Sequence, residues 1–258
     1  MKRIGLYGCG RLNKIVVDCY NQGLLDGYEI VGCYSKTKES RTNMANSLRI
    51  DACDSFNELL SRNIDYLVEA TNPSAVKEVL EDVINKKINV VLLSIGALAD
   101  EKYLEKIKNL CLKNNVKIHL ASGAISGFEV LRTAKIMGLS KAKLTNTKGP
   151  KALEKTSLYK EEMKSKETIA FDGSAYDAIN NLPTGINVGV ATSLATMGVH
   201  NTKILIKTEP EFIGDSQCID IECGAEIKAH LDVYSKTSDI AGYSVVALLQ
   251  NLNSPIVF

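Results

Sequence analysis

Gly8-Cys9-Gly10 is the stretch of this 258-residue sequence whose residue types are best suited to chemistry. An apolar run, Ile4 to Tyr7, precedes it, and Leu12, Ile15, Val16 and Cys19 follow at helical spacing. Strand, glycine turn and helix together let backbone N–H groups and a helix N-terminus face a pyrophosphate. A Cβ at either glycine would obstruct the turn or the phosphate. Gly8, Cys9, Gly10, Arg11 and Leu12 are therefore candidate cofactor-binding residues. The third position of the G-x-G-x-x-G fingerprint is Asn13, which predicts a helix set slightly further from its strand. The competing reading is a glycine turn with no ligand.

A second strand, Tyr28–Tyr34, runs into Ser35-Lys36-Thr37-Lys38. Folds that prefer NAD place an acid there for the ribose 2′-hydroxyl. Two cations and two hydroxyls stand there instead, so a 2′-phosphate is attracted, and NADP is expected in preference to NAD. Solvated lysines at a helix start are the alternative. Ser35 and Lys36, with Ala70 and Thr71 after the third strand, extend the candidate cofactor edge.

The elements that must position these residues alternate. Strands are expected over 64–70, 88–93 and 116–120, and helices over 39–48 and 55–61. Asn72 and Pro73 predict a capped helix toward Lys86, and Asp100 caps another to Lys113. This rhythm predicts an α/β Rossmann fold, a doubly wound parallel sheet with ligands at the strand C-terminal ends. Beyond Gly127 the rhythm changes: a helix over 128–137, a strand over 142–146, a lysine- and glutamate-rich excursion over 151–166, and a short strand over 168–171. Gly173-Ser174 is expected to open a helix, another follows over 188–197, and three alternating strands, 202–208, 218–222 and 225–234, imply a mainly antiparallel sheet in a C-terminal α+β domain. The last helix, 238–252, is expected to pack back on the first domain. The expected division is 1–122 with 236–258 for the dinucleotide, and 123–235 for substrate and dimerisation.

Composition excludes little but is useful. Apolar residues make up 45% and charged residues 24%, so disorder is not expected, and a net charge of +1 predicts neither a nucleic-acid nor a membrane partner. No apolar run approaches the roughly 20 residues of a membrane span. Seven cysteines without C-x-x-C spacing suggest reduced thiols in a cytoplasm and no metal site.

Val68-Glu69-Ala70, Ser94-Ile-Gly-Ala-Leu-Ala-Asp100, Ser122-Gly-Ala-Ile125, Phe171-Asp-Gly-Ser-Ala175, Ile186-Asn-Val188 and Ser235-Lys-Thr-Ser238 together resemble the L-aspartate dehydrogenase family over nearly the whole chain. The resemblance implies an NAD(P)-dependent oxidation of a small amino acid at its C–N bond, of the kind that supplies iminosuccinate for NAD biosynthesis. It also implies a homodimer built on the C-terminal sheet. Ala124 and Asn187 match family cofactor contacts. The family's catalytic histidine falls at Gln217, its F-P-x-N motif ends at Gly185, an aspartate becomes Glu129, and a pair of prolines becomes Gly149-Pro150.

Glutamine hydrogen-bonds but cannot exchange a proton near neutral pH. Acid–base work is therefore expected from Lys148, Lys236, Glu129 or a water, with Gln217 orienting a carboxylate or amide. Lys148 is read either as a carboxylate binder or as a surface lysine, and Ser235–Ser238 also as a helix cap. His119 either approaches the cleft or is a hydrogen-bonded sheet residue. The alternatives for the whole chain are a divergent paralogue reducing another imine or carbonyl, and a non-catalytic dinucleotide sensor.

Overall fold

The computed structural model describes all residues except Ser126, Pro183, Thr184, Gly185, Ala225 and the Asn180 side chain. The chain divides into two units, Met1–Gly123 with Asp239–Phe258, and Ala124–Ser238.

In the first unit the strands are β1 (Lys2–Tyr7), β2 (Tyr28–Tyr34), β3 (Tyr66–Glu69), β4 (Asn89–Leu92) and β5 (Ile118–Leu120). They are all parallel in the order β2-β1-β3-β4-β5. The helices are α1 (Arg11–Asn21), α2 (Lys38–Leu48), α3 (Phe56–Ser61), α4 (Pro73–Asn85) and α5 (Glu101–Asn114), with the closing helix α9 (Asp239–Asn253) against α1. This is the expected doubly wound sheet. Its β4 run is continuous in apolar residues because both faces are covered, and Val90, Val91 and Leu92 are buried. The caps read from sequence are in place: Asn72 accepts from the Ala75 N–H at 3.0 Å with Pro73 in the first turn, and Asp100 accepts from Tyr103 at 2.7 Å.

Asn13, at the third fingerprint position, is fully buried. Its Nδ2 donates to the carbonyls of Tyr7 at 3.2 Å and Gly8 at 2.7 Å. It thus ties the end of β1 to the start of α1, a role a glycine could not perform.

The second unit contains α6 (Phe128–Ile136), β6 (Lys141–Lys148), β7 (Thr168–Ser174), α7 (Ala175–Asn181), α8 (Asn187–Ala195), β8 (Lys203–Thr208), β9 (Asp215–Cys223) and β10 (Ile227–Ser235). The sheet order is β10-β9-β6-β8-β7, antiparallel at every pair except the parallel β6 and β8. Strand β7 runs three residues past its expected end, because Ser174 closes the strand and caps α7 in a reciprocal capping box with Asp177. The excursion over 151–166 folds as short 3₁₀ turns anchored by buried Leu153 and Met163. Alternation puts Ala142, Leu144 and Asn146 on one buried face with Gln217, Ile219 and Ile221.

Candidate active site

The turn after β1 has the shape a diphosphate requires. Gly8 has φ of +95°, and a Cβ there would lie 2.4 Å from the Ala70 carbonyl oxygen. A Cβ at Gly10 would meet nothing within 4 Å, so open space lies before the helix. Gly10 is the N-cap of α1, and no side chain caps the first turn. The first-turn N–H groups therefore remain available to an anion. Beside them Cys9, Gly10, Arg11, Lys14 and Asn43 line a cleft of about 320 Å³ between α1 and α2. Leu12 is half-buried against the core, and Arg11 Nε pairs with Asp239 at 3.0 Å. A hydrogen bond with Cys33, then burial, raises the Cys9 thiol far above its ordinary range, so it stays protonated and unreactive. These features fit a dinucleotide.

At the end of β2, Lys36 is exposed and pairs with Glu78 at 3.2 Å, while Lys38 begins α2. Sequence reasoning missed Arg41. It is largely covered, donates to the Ser35 carbonyl at 3.3 Å and pairs with Asp54 at 3.0 Å. No acid stands where a 2′-hydroxyl partner would be expected.

Ala70 and Thr71 are fixed by the residue before them, Glu69. Glu69 is 1% exposed, and its carboxylate accepts from the Thr71 N–H at 2.5 Å, the Thr71 hydroxyl at 2.7 Å, the Ser94 hydroxyl at 2.8 Å, and the N–H groups of Ser94 at 2.9 Å and Leu93 at 3.3 Å. One buried anion thereby shapes the loops after both β3 and β4. Its negative charge is satisfied by these donors rather than by a cation.

In the second unit, one rung crosses all five strands: Ser235, Asp215, Lys148, Thr208 and Thr168. Lys148 is not a surface lysine. Its side chain is 15% exposed and its Nζ lies 3.3 Å from Asp215 Oδ1. Two rungs away, on the same face, are Val233, Gln217 and Asn146. Asn146 Nδ2 donates to the Ser216 carbonyl at 3.2 Å and reaches Asp215 at 3.5 Å. Gln217 is 6% exposed, and its Oε1 is a buried acceptor with no donor among the described residues. Such an atom is expected to find a partner in water or ligand. Asp215 and Asn146 could be found only from strand register.

Lys236 follows β10 and is exposed, but its backbone abuts Gly214, where a Cβ would lie 2.3 Å from the Ser235 carbonyl oxygen. Glu129 stands exposed on the first turn of α6, and the entry glycine of that helix, Gly127, packs on Leu231 of β10. Lys148 and Gln217 thus share one face two rungs apart, whereas Glu129 and Lys236 make no described ion pair with Lys148. A cleft of about 670 Å³ opens next to Lys148, lined by Gly149, Lys151, Tyr159, Lys164 and Phe212. A Cβ at Gly149 would lie 2.4 Å from the Phe212 carbonyl oxygen, which accounts for a glycine at one of the two family proline positions.

Ala124 and Asn187, the expected cofactor contacts, belong to the second unit, in the turn before α6 and in the first turn of α8. Gly185 lies outside the described residues. His119 is half-buried beside Tyr66, and its Nε2 has no hydrogen-bond partner among the described residues. Burial, with Lys117 and Lys2 nearby, lowers its pKa below 6.5.

Comparison with known proteins follows the same division. Residues 129–252 match the family described as aspartate dehydrogenase, C-terminal, and residues 8–121 the homoserine dehydrogenase NAD-binding domain. The L-aspartate dehydrogenase of Methanococcus maripaludis strain S2 is 31% identical, covering 99% of this chain and 98% of that protein. This chain belongs to the L-aspartate dehydrogenase family. The L-aspartate dehydrogenase of Methanospirillum hungatei is also 31% identical, over 100% of this chain and 99% of that protein. The aspartate dehydrogenase structure from Thermotoga maritima superposes with a TM-score of 0.82 at 23% identity, covering 100% of this chain and 99% of that one. At that identity the likeness describes the fold. Family membership and the NAD-binding domain make this chain an amino-acid dehydrogenase that uses a nicotinamide cofactor.

Proposed function

We propose that the chain oxidises L-aspartate at its C–N bond with NADP in preference to NAD, giving iminosuccinate, which water converts to oxaloacetate and ammonia. The full-length match to L-aspartate dehydrogenases carries the substrate. The open, uncapped start of α1 supports the cofactor end, with Gly8, Cys9, Gly10, Arg11 and Leu12 around the diphosphate. Lys36, Lys38 and Arg41, without a nearby acid on β2, support the 2′-phosphate. Residues 1–123 with 239–258 are read as the dinucleotide unit, and 124–238 as the substrate unit, with Ala124 and Asn187 as further cofactor contacts.

The nicotinamide, when bound, supplies the hydride acceptor. The chain's own residues bind and orient. The Lys148 ammonium, steadied by Asp215, attracts a substrate carboxylate. Gln217 Oε1 accepts from the substrate nitrogen or from the water that attacks later. Lys236 and Glu129 are the remaining charged groups for substrate binding or proton transfer.

A specific observation favours a second reading. Gln217 cannot relay a proton as a histidine can. A divergent paralogue handling another imine or carbonyl, or a dinucleotide sensor without turnover, would carry such a change. Following NADPH and NADH absorbance with oxaloacetate and ammonia separates these. Turnover supports aspartate, activity only with other oxo acids supports the paralogue, and binding without turnover over a broad panel supports the sensor. No dinucleotide binding at millimolar concentration would end all three. A homodimer and a cytoplasmic location complete the proposal, the latter supported by seven free cysteines. Light scattering tests the former.

A further inference from the structure

We propose that the open face of the second sheet binds one divalent transition-metal ion of the zinc class through Cys218, Asp220 and His230. This site stands apart from the redox proposal, because Cys218 and Asp220 alternate with Gln217 and Ile219 and so face away from them.

Register builds the cluster. Cys218 and Asp220 are two apart on β9, and His230 of β10 is the direct partner of Asp220. One ligand atom from each lies within 4.8 Å of the others. The Cys218 sulfur is 3.5 Å from His230 Nδ1, 3.7 Å from Nε2 and 3.8 Å from Asp220 Oδ2. Zinc–sulfur and zinc–nitrogen bonds at a tetrahedral angle separate the two ligand atoms by about 3.6 Å. The sulfur–nitrogen edge therefore already has the length an ion requires. Asp220 Oδ1 lies 2.8 Å from His230 Nδ1, so carboxylate, sulfur and Nδ1 already face one another, and Nδ1 is the ring nitrogen placed to ligate.

Charge agrees with geometry. Asp232 is the direct partner of Cys218, its carboxylate held by Ser216 at 3.1 Å. Lys143 is the partner of Asp220 on the other side. A thiolate and two carboxylates against one ammonium leave two negative charges, which a divalent ion neutralises. Sulfur and imidazole donors select zinc or cobalt over magnesium or calcium. The ion would clamp β9 to β10, with open positions for water.

The test uses the full chain, stripped with chelator and titrated with Co²⁺. We expect one cobalt per chain with a sulfur-to-cobalt charge-transfer band that Zn²⁺ displaces. The band should vanish in Cys218→Ser, a near-isosteric change, while NADPH binding stays at the wild-type level. Asp220→Asn and His230→Ala should each weaken Co²⁺ binding at least tenfold, and they carry the test should Cys218→Ser not fold. A wild-type protein without the band, a band of equal strength in Cys218→Ser, or unchanged affinity in both other variants would overturn the proposal.

Discussion

The Ser94 hydroxyl donates to the buried Glu69 carboxylate at 2.8 Å, joining the loop after β4 to the end of β3. Three backbone N–H groups and the Thr71 hydroxyl converge on the same carboxylate. A Glu69→Gln variant replaces one acceptor oxygen with a donor that faces donors. Urea unfolding should show a loss of about 2–4 kcal/mol, the range for an unsatisfied buried polar group in a network. Glu78→Gln, at an exposed pair, should change stability by less than about 1 kcal/mol.

The two turn glycines should separate folding from binding. Gly8→Ala forces a side chain into positive φ and onto the Ala70 carbonyl, so its melting temperature should fall clearly. Gly10→Ala meets no protein atom, and its stability should change by less than about 1 kcal/mol. Its NADPH affinity, read by fluorescence, should nonetheless fall at least tenfold. Equal affinities would show that the phosphates lie elsewhere.

Gln217→His restores a proton-exchanging group among Asn146, Val233 and their neighbours. Aspartate turnover should rise, with a new pH dependence near the histidine pKa. Lys148→Met should instead raise KM for aspartate more than it lowers kcat, because the ammonium is assigned to ground-state carboxylate binding. A fall confined to kcat would reassign it to the chemical step.

His119 gives a pH signature. Its folded pKa lies below the unfolded value of 6.5. The unfolded chain therefore takes up this proton first as pH falls. The stability that neutral His119 contributes is complete above pH 6.5 and is lost as pH drops through the folded pKa. Between pH 7 and 5, unfolding free energy should fall less steeply in His119→Gln than in the wild type. Identical slopes would mean that the ring is solvated.

Much of the fold was legible because its signals are local. The apolar run at 88–93, the Asn72-Pro73 pair and the Asp100 cap each lie within one element. The end of β7 was missed because Gly173-Ser174 looks like a turn, although Ser174 serves strand and helix at once. The site residues behaved differently. Glu69 finds donors 24 and 25 residues away, and Lys148 meets Asp215 only after two distant strands align. Cysteine spacing alone could not bring Cys218 to His230, because the link is cross-strand register.

The closing helix has a consequence for synthesis. Tyr28 donates its hydroxyl proton to the Leu249 carbonyl at 2.8 Å, Lys2 reaches the Leu252 carbonyl at 3.1 Å, and Gly242 packs α9 tightly on Ile15 of α1. The unit begun by residues 1–123 thus lacks its final wall until residues 239–253 have left the ribosome. Residues 124–238 are complete earlier and can fold while the N-terminal portion waits. A released chain truncated before residue 239 should expose the apolar flank of α1 and attract chaperones, whereas one that retains residues 239–253 should not.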